Sequence, residues 1–83
     1  MLAEVILPDL GAGPVLLSVW FVDTGEHVFE GDRLVEVLVG GATFDVPAPA
    51  TGWLVEKRAL IDDSIHPGQV LGVVEVEADD LTR

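Results

Sequence analysis

Only a few side chains here could do chemistry: one lysine, Lys57, two histidines, His27 and His66, and fifteen carboxylates, with no cysteine. A lysine amine could hold a prosthetic group by an amide. Thiolate metal sites and disulfides are excluded at once. His27 and His66 lie in Asp- and Glu-rich loops, yet neither has a second histidine at ligand spacing, so surface loop histidines are the expected reading and a metal site is not. Thr24, Thr43 and Thr51 stand near glycines without a nucleophile-elbow context, and Asp62-Asp63 reads as a turn former rather than an acid/base pair. No catalytic residue is expected, and no enzyme activity.

The charge balance narrows the partners. Fifteen acidic against four basic residues give a net charge of -11. Such a surface repels a phosphate backbone and an anionic membrane, so neither nucleic acid nor membrane is an expected partner. It favours solubility, and equally a basic docking face on another protein. No apolar run reaches the roughly 18 residues that span a bilayer. The start, Met1-Leu2-Ala3-Glu4, lacks the positive region of an export signal, so the cytoplasm is the expected compartment.

The elements that position these residues are strands. Short alternating Val-rich runs, punctuated by Gly, Pro and Asp every 8–12 residues or so, give the pattern of a sandwich or barrel. Strands are predicted near Glu4–Leu7, Leu16–Phe21, Arg33–Val39, Ala42–Pro47, Gly52–Lys57 and Val70–Val76, with short extended pieces near His27–Phe29 and Ser64–His66. No window has the spacing of a capped amphipathic helix. Gly40-Gly41, between two alternating runs, signals a type I′ hairpin, which needs positive φ at both central residues. The 83 residues are expected to form one domain with its core at about 4–77, and residues 78–83 a frayed tail.

Val28-Phe29-Glu30-Gly31-Asp32-Arg33-Leu34-Val35 lines up with Ile65-His66-Pro67-Gly68-Gln69-Val70-Leu71-Gly72 at an offset of 37, and Leu16–Val19 falls on Trp53–Glu56 at the same offset. Two halves related by a quasi-twofold axis are implied, each giving strands to both sheets of one sandwich.

The order of these pieces resembles the biotinyl/lipoyl-carrier family, specifically the lipoyl domains of 2-oxo acid dehydrogenase acyltransferases, over about Glu4 to Glu77. Val5-Ile6-Leu7-Pro8-Asp9-Leu10-Gly11 looks like the family's opening strand and turn. Val19-Trp20-Phe21-Val22 followed by Gly25, Val28 and Gly31-Asp32 resembles its second strand and loop. Val46-Pro47-Ala48-Pro49 with Gly52, then Gly68, Leu71 and Val74-Glu75, are similar to the strands that leave the hairpin and close the domain. The resemblance implies an all-β flattened barrel, or barrel-sandwich hybrid, of two four-stranded antiparallel sheets.

It also implies an Asp-Lys-Ala tripeptide at the hairpin, with the lysine lipoylated. Here Ala42 is kept, but Gly40 and Gly41 stand where the Asp and Lys are expected, and Leu38-Val39 replaces the usual Glu-Thr. The biotin-type Met-Lys-Met is absent too. A glycine offers no amine, so no covalent cofactor is expected. The resemblance then implies a non-catalytic, unlipoylated interaction module, with a protein partner in a 2-oxo acid dehydrogenase or acyltransferase assembly. Two alternatives remain: a carrier component working through Lys57 or a partner chain's lysine, and a structural or oligomerising domain. The candidate interaction surface is Leu38, Val39, Gly40, Gly41 and Trp53, with self-association through the apolar members. Trp20 is expected to pack, and Trp53 to pack or, if exposed, to mark a docking spot.

Overall fold

Leu34, Val35 and Val37 are fully buried on one strand, an arrangement strict alternation would forbid. The register slips between Arg33 and Val35, and this bulge lets two consecutive side chains face the core. In the computed structural model, which describes residues 1–11 and 13–78, eight strands follow this logic among the described residues. They are β1 Leu2–Ile6, β2 Val15–Trp20, β3 His27–Val28, β4 Arg33–Val39, β5 Ala42–Pro47, β6 Gly52–Lys57, β7 Ser64–Ile65 and β8 Val70–Val76. The predicted bounds of β4, β5, β6 and β8 match; β1 begins two residues earlier, at Leu2, and ends at Ile6, β2 lies one residue earlier than predicted, and β3 and β7 each end one residue sooner. Leu7 is still tied down, donating to the Gln69 carbonyl and accepting from the Gly68 N–H. Residues 79–83 of the predicted tail lie outside the described residues.

The strands form two antiparallel four-stranded sheets, ordered β1-β8-β6-β3 (the first sheet) and β5-β4-β2-β7 (the second). Each half of the chain gives two strands to each sheet, as the repeat implied. Between them lies an apolar core that includes Leu17, Leu34, Leu54 and Leu71, all at 0% exposure. Those four leucines are two repeat pairs, 37 residues apart.

The repeat extends to individual hydrogen bonds. Leu17 donates to Asp63 O and accepts from the Asp62 N–H, while Leu54 donates to Glu26 O and accepts from the Gly25 N–H. Phe21 donates to Leu34 O as Arg58 donates to Leu71 O. The Asp23 N–H meets the Glu26 carboxylate as the Leu60 N–H meets that of Asp63. Even the bulges recur, between Leu17 and Val19 and between Leu54 and Glu56. Strands β1 and β5 follow a different offset: Leu7 and Ala48 make equivalent bonds, to Gln69 and Gly68 and to Asp32 and Gly31. The link from β1 to β2 is therefore four residues longer than the link from β5 to β6.

Candidate functional site

The hairpin between β4 and β5 is the site the sequence points to. Val39 pairs with Ala42, leaving two residues at the tip, and Gly40 and Gly41 have φ of 53° and 90°. Both central residues are left-handed, as a type I′ turn requires. The right-handed strand twist is matched by this turn, and glycine adopts it without a Cβ penalty. Both glycines are exposed, and a Cβ on either would meet nothing within 4 Å. The tip thus presents backbone N–H and C=O groups and no side chain. It can accept and donate hydrogen bonds, but it holds no nucleophile and no amine.

Period-two alternation separates the two flanking residues. Leu38 pairs with Leu16 and Thr43, in a transverse row that continues to Ser64 on the outer surface of the second sheet. Leu16 is 40% exposed and Leu38 half-buried. Val39 points the other way and packs against the core. Of these two members of the candidate interaction surface, only Leu38 is on the outer face, and its companion there is Leu16. Sequence alternation alone held that signal.

Trp53 belongs to the first sheet rather than to the hairpin surface. It pairs with His27 on one side and Glu75 on the other. It packs, but on the outside, at 38% exposure, with its ring edge-to-face against His27 at 5.2 Å. His27 also meets Phe29 at 5.0 Å, and its Nε2 lies 3.4 Å from the Glu77 carboxylate. His66 is elsewhere, its N–H held by the Gln69 side chain in the turn after β7. The two histidines are thus not at equivalent points of the repeat. Among the described residues no three His, Cys, Asp or Glu side chains come together as a metal site.

Lys57 ends β6, in the first sheet. Its Nζ lies 5.3 Å from the centre of the Trp20 ring and 3.7 Å from Asp23 Oδ1, with the side chain 21% exposed. Trp20 is held in turn by its indole N–H, which donates to the Ala59 carbonyl at 2.9 Å, and it packs on the core as expected. The lysine therefore lies flat against an aromatic face instead of projecting from a turn. Just past the end of β6, Arg58 bonds to Glu56. That hydrogen bond, then the charge of Glu56, holds its guanidinium above the usual arginine range, with Glu4 adding to the effect.

Two four-stranded sheets wrapped around one core, duplicated down to the bulges and opened by a single two-residue hairpin, define a barrel-sandwich hybrid. The sequence profile of the biotin/lipoyl family, described as "Biotin-requiring enzyme", matches residues 3–74. The chain belongs to this family. The dihydrolipoyllysine-residue succinyltransferase component of the 2-oxoglutarate dehydrogenase complex from Bartonella vinsonii subsp. berkhoffii is 33% identical over all of this chain, which spans 21% of that protein. The lipoamide acyltransferase component of the branched-chain alpha-keto acid dehydrogenase complex from Pseudomonas aeruginosa is 35% identical over 81% of the chain and 15% of its own length. Among solved structures, the lipoyl domain of the 2-oxoglutarate dehydrogenase complex from Azotobacter vinelandii shares the fold, with a TM-score of 0.72 at 21% identity. The match covers 89% of this chain and 98% of that domain.

Proposed function

We propose that this chain is a lipoyl-type domain that carries no covalent group and acts by docking onto a protein partner. The observation behind this reading is the hairpin tip: Gly40 and Gly41, placed by the resemblance where Asp and Lys stand in carriers, form an exposed type I′ turn without a side chain. An amide-linked arm needs a primary amine, and the chain's single lysine is in the other sheet against Trp20 and Asp23. A carrier role through Lys57 is disfavoured by that placement, since a ligase must reach an amine that projects from a rigid turn.

The partner is proposed from the company of its relatives, which are components of 2-oxoglutarate and branched-chain alpha-keto acid dehydrogenase complexes. In such an assembly, in the cytoplasm, residues 1–83 would act as one unit that binds and transfers nothing. The alternative of a purely structural domain differs in having no partner outside its own kind, and a charge of -11 opposes self-association.

Incubation with lipoate ligase, lipoate and ATP, followed by intact-mass measurement, tests the reading. The mass is expected to stay unchanged while a relative's domain in the same tube gains one lipoyl group. A gain of one lipoyl group on this chain overturns the proposal.

A further inference from the structure

The outer face of the first sheet carries a transverse row that crosses all four strands: His27, Trp53, Glu75 and Leu2 are register partners in turn. Side chains paired in this way share one face. Phe29 joins the row through His27, and it is 62% exposed, as Leu2 is 63% exposed. The result is an aromatic and apolar strip in open solvent, threaded with the carboxylates of Glu75 and Glu77. Uncovered aromatic surface of this kind is costly to leave in water and marks a contact site.

The charge around the strip states what would cover it. An aromatic face beside carboxylates attracts a cation, and arginine best of all, because its planar guanidinium stacks on a ring while bonding a carboxylate in its plane. The protein already uses this pairing twice within itself. Arg33 lies 4.8 Å from the centre of the Phe21 ring and bridges to Asp45, and Lys57 lies on Trp20 and bridges to Asp23. Each of those rings has a cation and a carboxylate. Trp53 and Phe29 have the carboxylate of Glu77 nearby through His27, and among the described residues no arginine or lysine is recorded over them. Arg33 and Arg58 are both engaged elsewhere, and the net charge repels a second copy. A foreign arginine fits.

We infer that the Trp53–His27–Phe29 face is a docking site for an arginine-bearing segment of a partner protein. This deepens the docking part of the proposed function and is independent of the hairpin: the ligase experiment tests the missing arm, and the following one tests this face.

The probe is hexa-arginine amide, titrated at low salt into the isotope-labelled chain, with hexa-lysine amide in parallel. The two indole N–H resonances report separately. The Trp53 indole and the amides of His27 and Phe29 are expected to shift saturably, while the Trp20 indole, bonded to Ala59, stays in place and confirms the fold. Trp53→Ala and Phe29→Ala are each expected to weaken hexa-arginine binding about threefold to tenfold. Phe44→Ala, which removes a ring 43% exposed in the other sheet, is expected to leave it unchanged. Hexa-lysine is expected to bind more weakly. Should Trp53→Ala fail to fold, Phe29→Ala decides. Equal binding of the two peptides, shifts spread evenly over the acidic surface, or unaltered affinity in Phe29→Ala each overturn the inference.

Discussion

Asp62 holds a φ of 72° at the position 37 residues beyond Gly25, whose own φ is 97°. The two residues make the same backbone bond, Asp62 to Leu17 O and Gly25 to Leu54 O. The second half of the duplicated fold thus demands a left-handed residue and supplies one with a Cβ. Asp62 is the only described residue other than glycine with positive φ.

That strain can be measured. Asp62→Gly removes the Cβ clash at the cost of a freer unfolded chain, and is expected to leave stability unchanged or raise it by up to about 1 kcal/mol. Gly25→Ala imposes the strain on the other half and is expected to cost about 1 kcal/mol or more. Urea midpoints of both variants check the pair. A loss in Asp62→Gly equal to that in Gly25→Ala would show that the two turns are not conformationally equivalent.

Gly52 is constrained by space instead of dihedral angle. A Cβ there would lie 1.9 Å from the Glu75 carbonyl oxygen, a neighbouring-strand backbone atom that cannot step aside. At Gly40 and Gly41 a Cβ meets nothing. Gly52→Ala is therefore expected to cost at least about 3 kcal/mol or to prevent folding, whereas Gly40→Ala costs about 1–2 kcal/mol of turn strain. Thermal melts of the two variants side by side give the order. An intact Gly52→Ala melt would mean that β6 and β8 separate more easily than their register suggests.

Much of this was legible in the chain, because the fold is written in alternation and in glycine placement. All eight strands and the type I′ hairpin follow from runs such as Leu34–Val39 and from Gly40-Gly41. The 37-residue offset foretold the shared sheets. The different offset of β1 and β5 did not show, since four extra residues between Leu7 and Leu17 break the match where side chains are least similar. The site was less legible. Leu38 and Val39 look like neighbours in sequence, yet a pleated strand turns them to opposite faces. His27, Trp53 and Glu77 are far apart in sequence, and only the β3–β6–β8 register brings them together.

Trp20 is a test of how the second sheet, through β2, is tied to the loop after β6. Its indole N–H donates to the carbonyl of Ala59, which is itself 1% exposed. Trp20→Phe keeps a ring in place but leaves that buried carbonyl without its partner, at an expected cost of about 1–3 kcal/mol. The ring face that Lys57 lies on is also reduced. Urea unfolding should show a lower midpoint with an unchanged slope. A cost near zero would mean that the Ala59 carbonyl finds water or another donor.

The hairpin offers the strongest test, because its chemistry can be restored. The tip is open, so the pair Gly40→Asp and Gly41→Lys introduces side chains whose Cβ atoms meet nothing within 4 Å. Their φ values of 53° and 90° strain both new residues, by about 1–2 kcal/mol each, less for the aspartate. That strain favours a change of turn type and not the loss of the sheets, whose core lies away from the tip. The double variant is thus expected to fold with a lowered melting temperature and to gain one lipoyl group from lipoate ligase, while Lys57 stays unmodified. Intact mass and peptide mapping read both outcomes. Lipoylation of the variant beside an inert parent would establish that the Asp-Lys pair at the tip was all that was missing. A folded variant that the ligase ignores would instead place the block in Leu38 and Val39, the apolar flank, and would sink the assignment of the tip as the whole difference from a carrier.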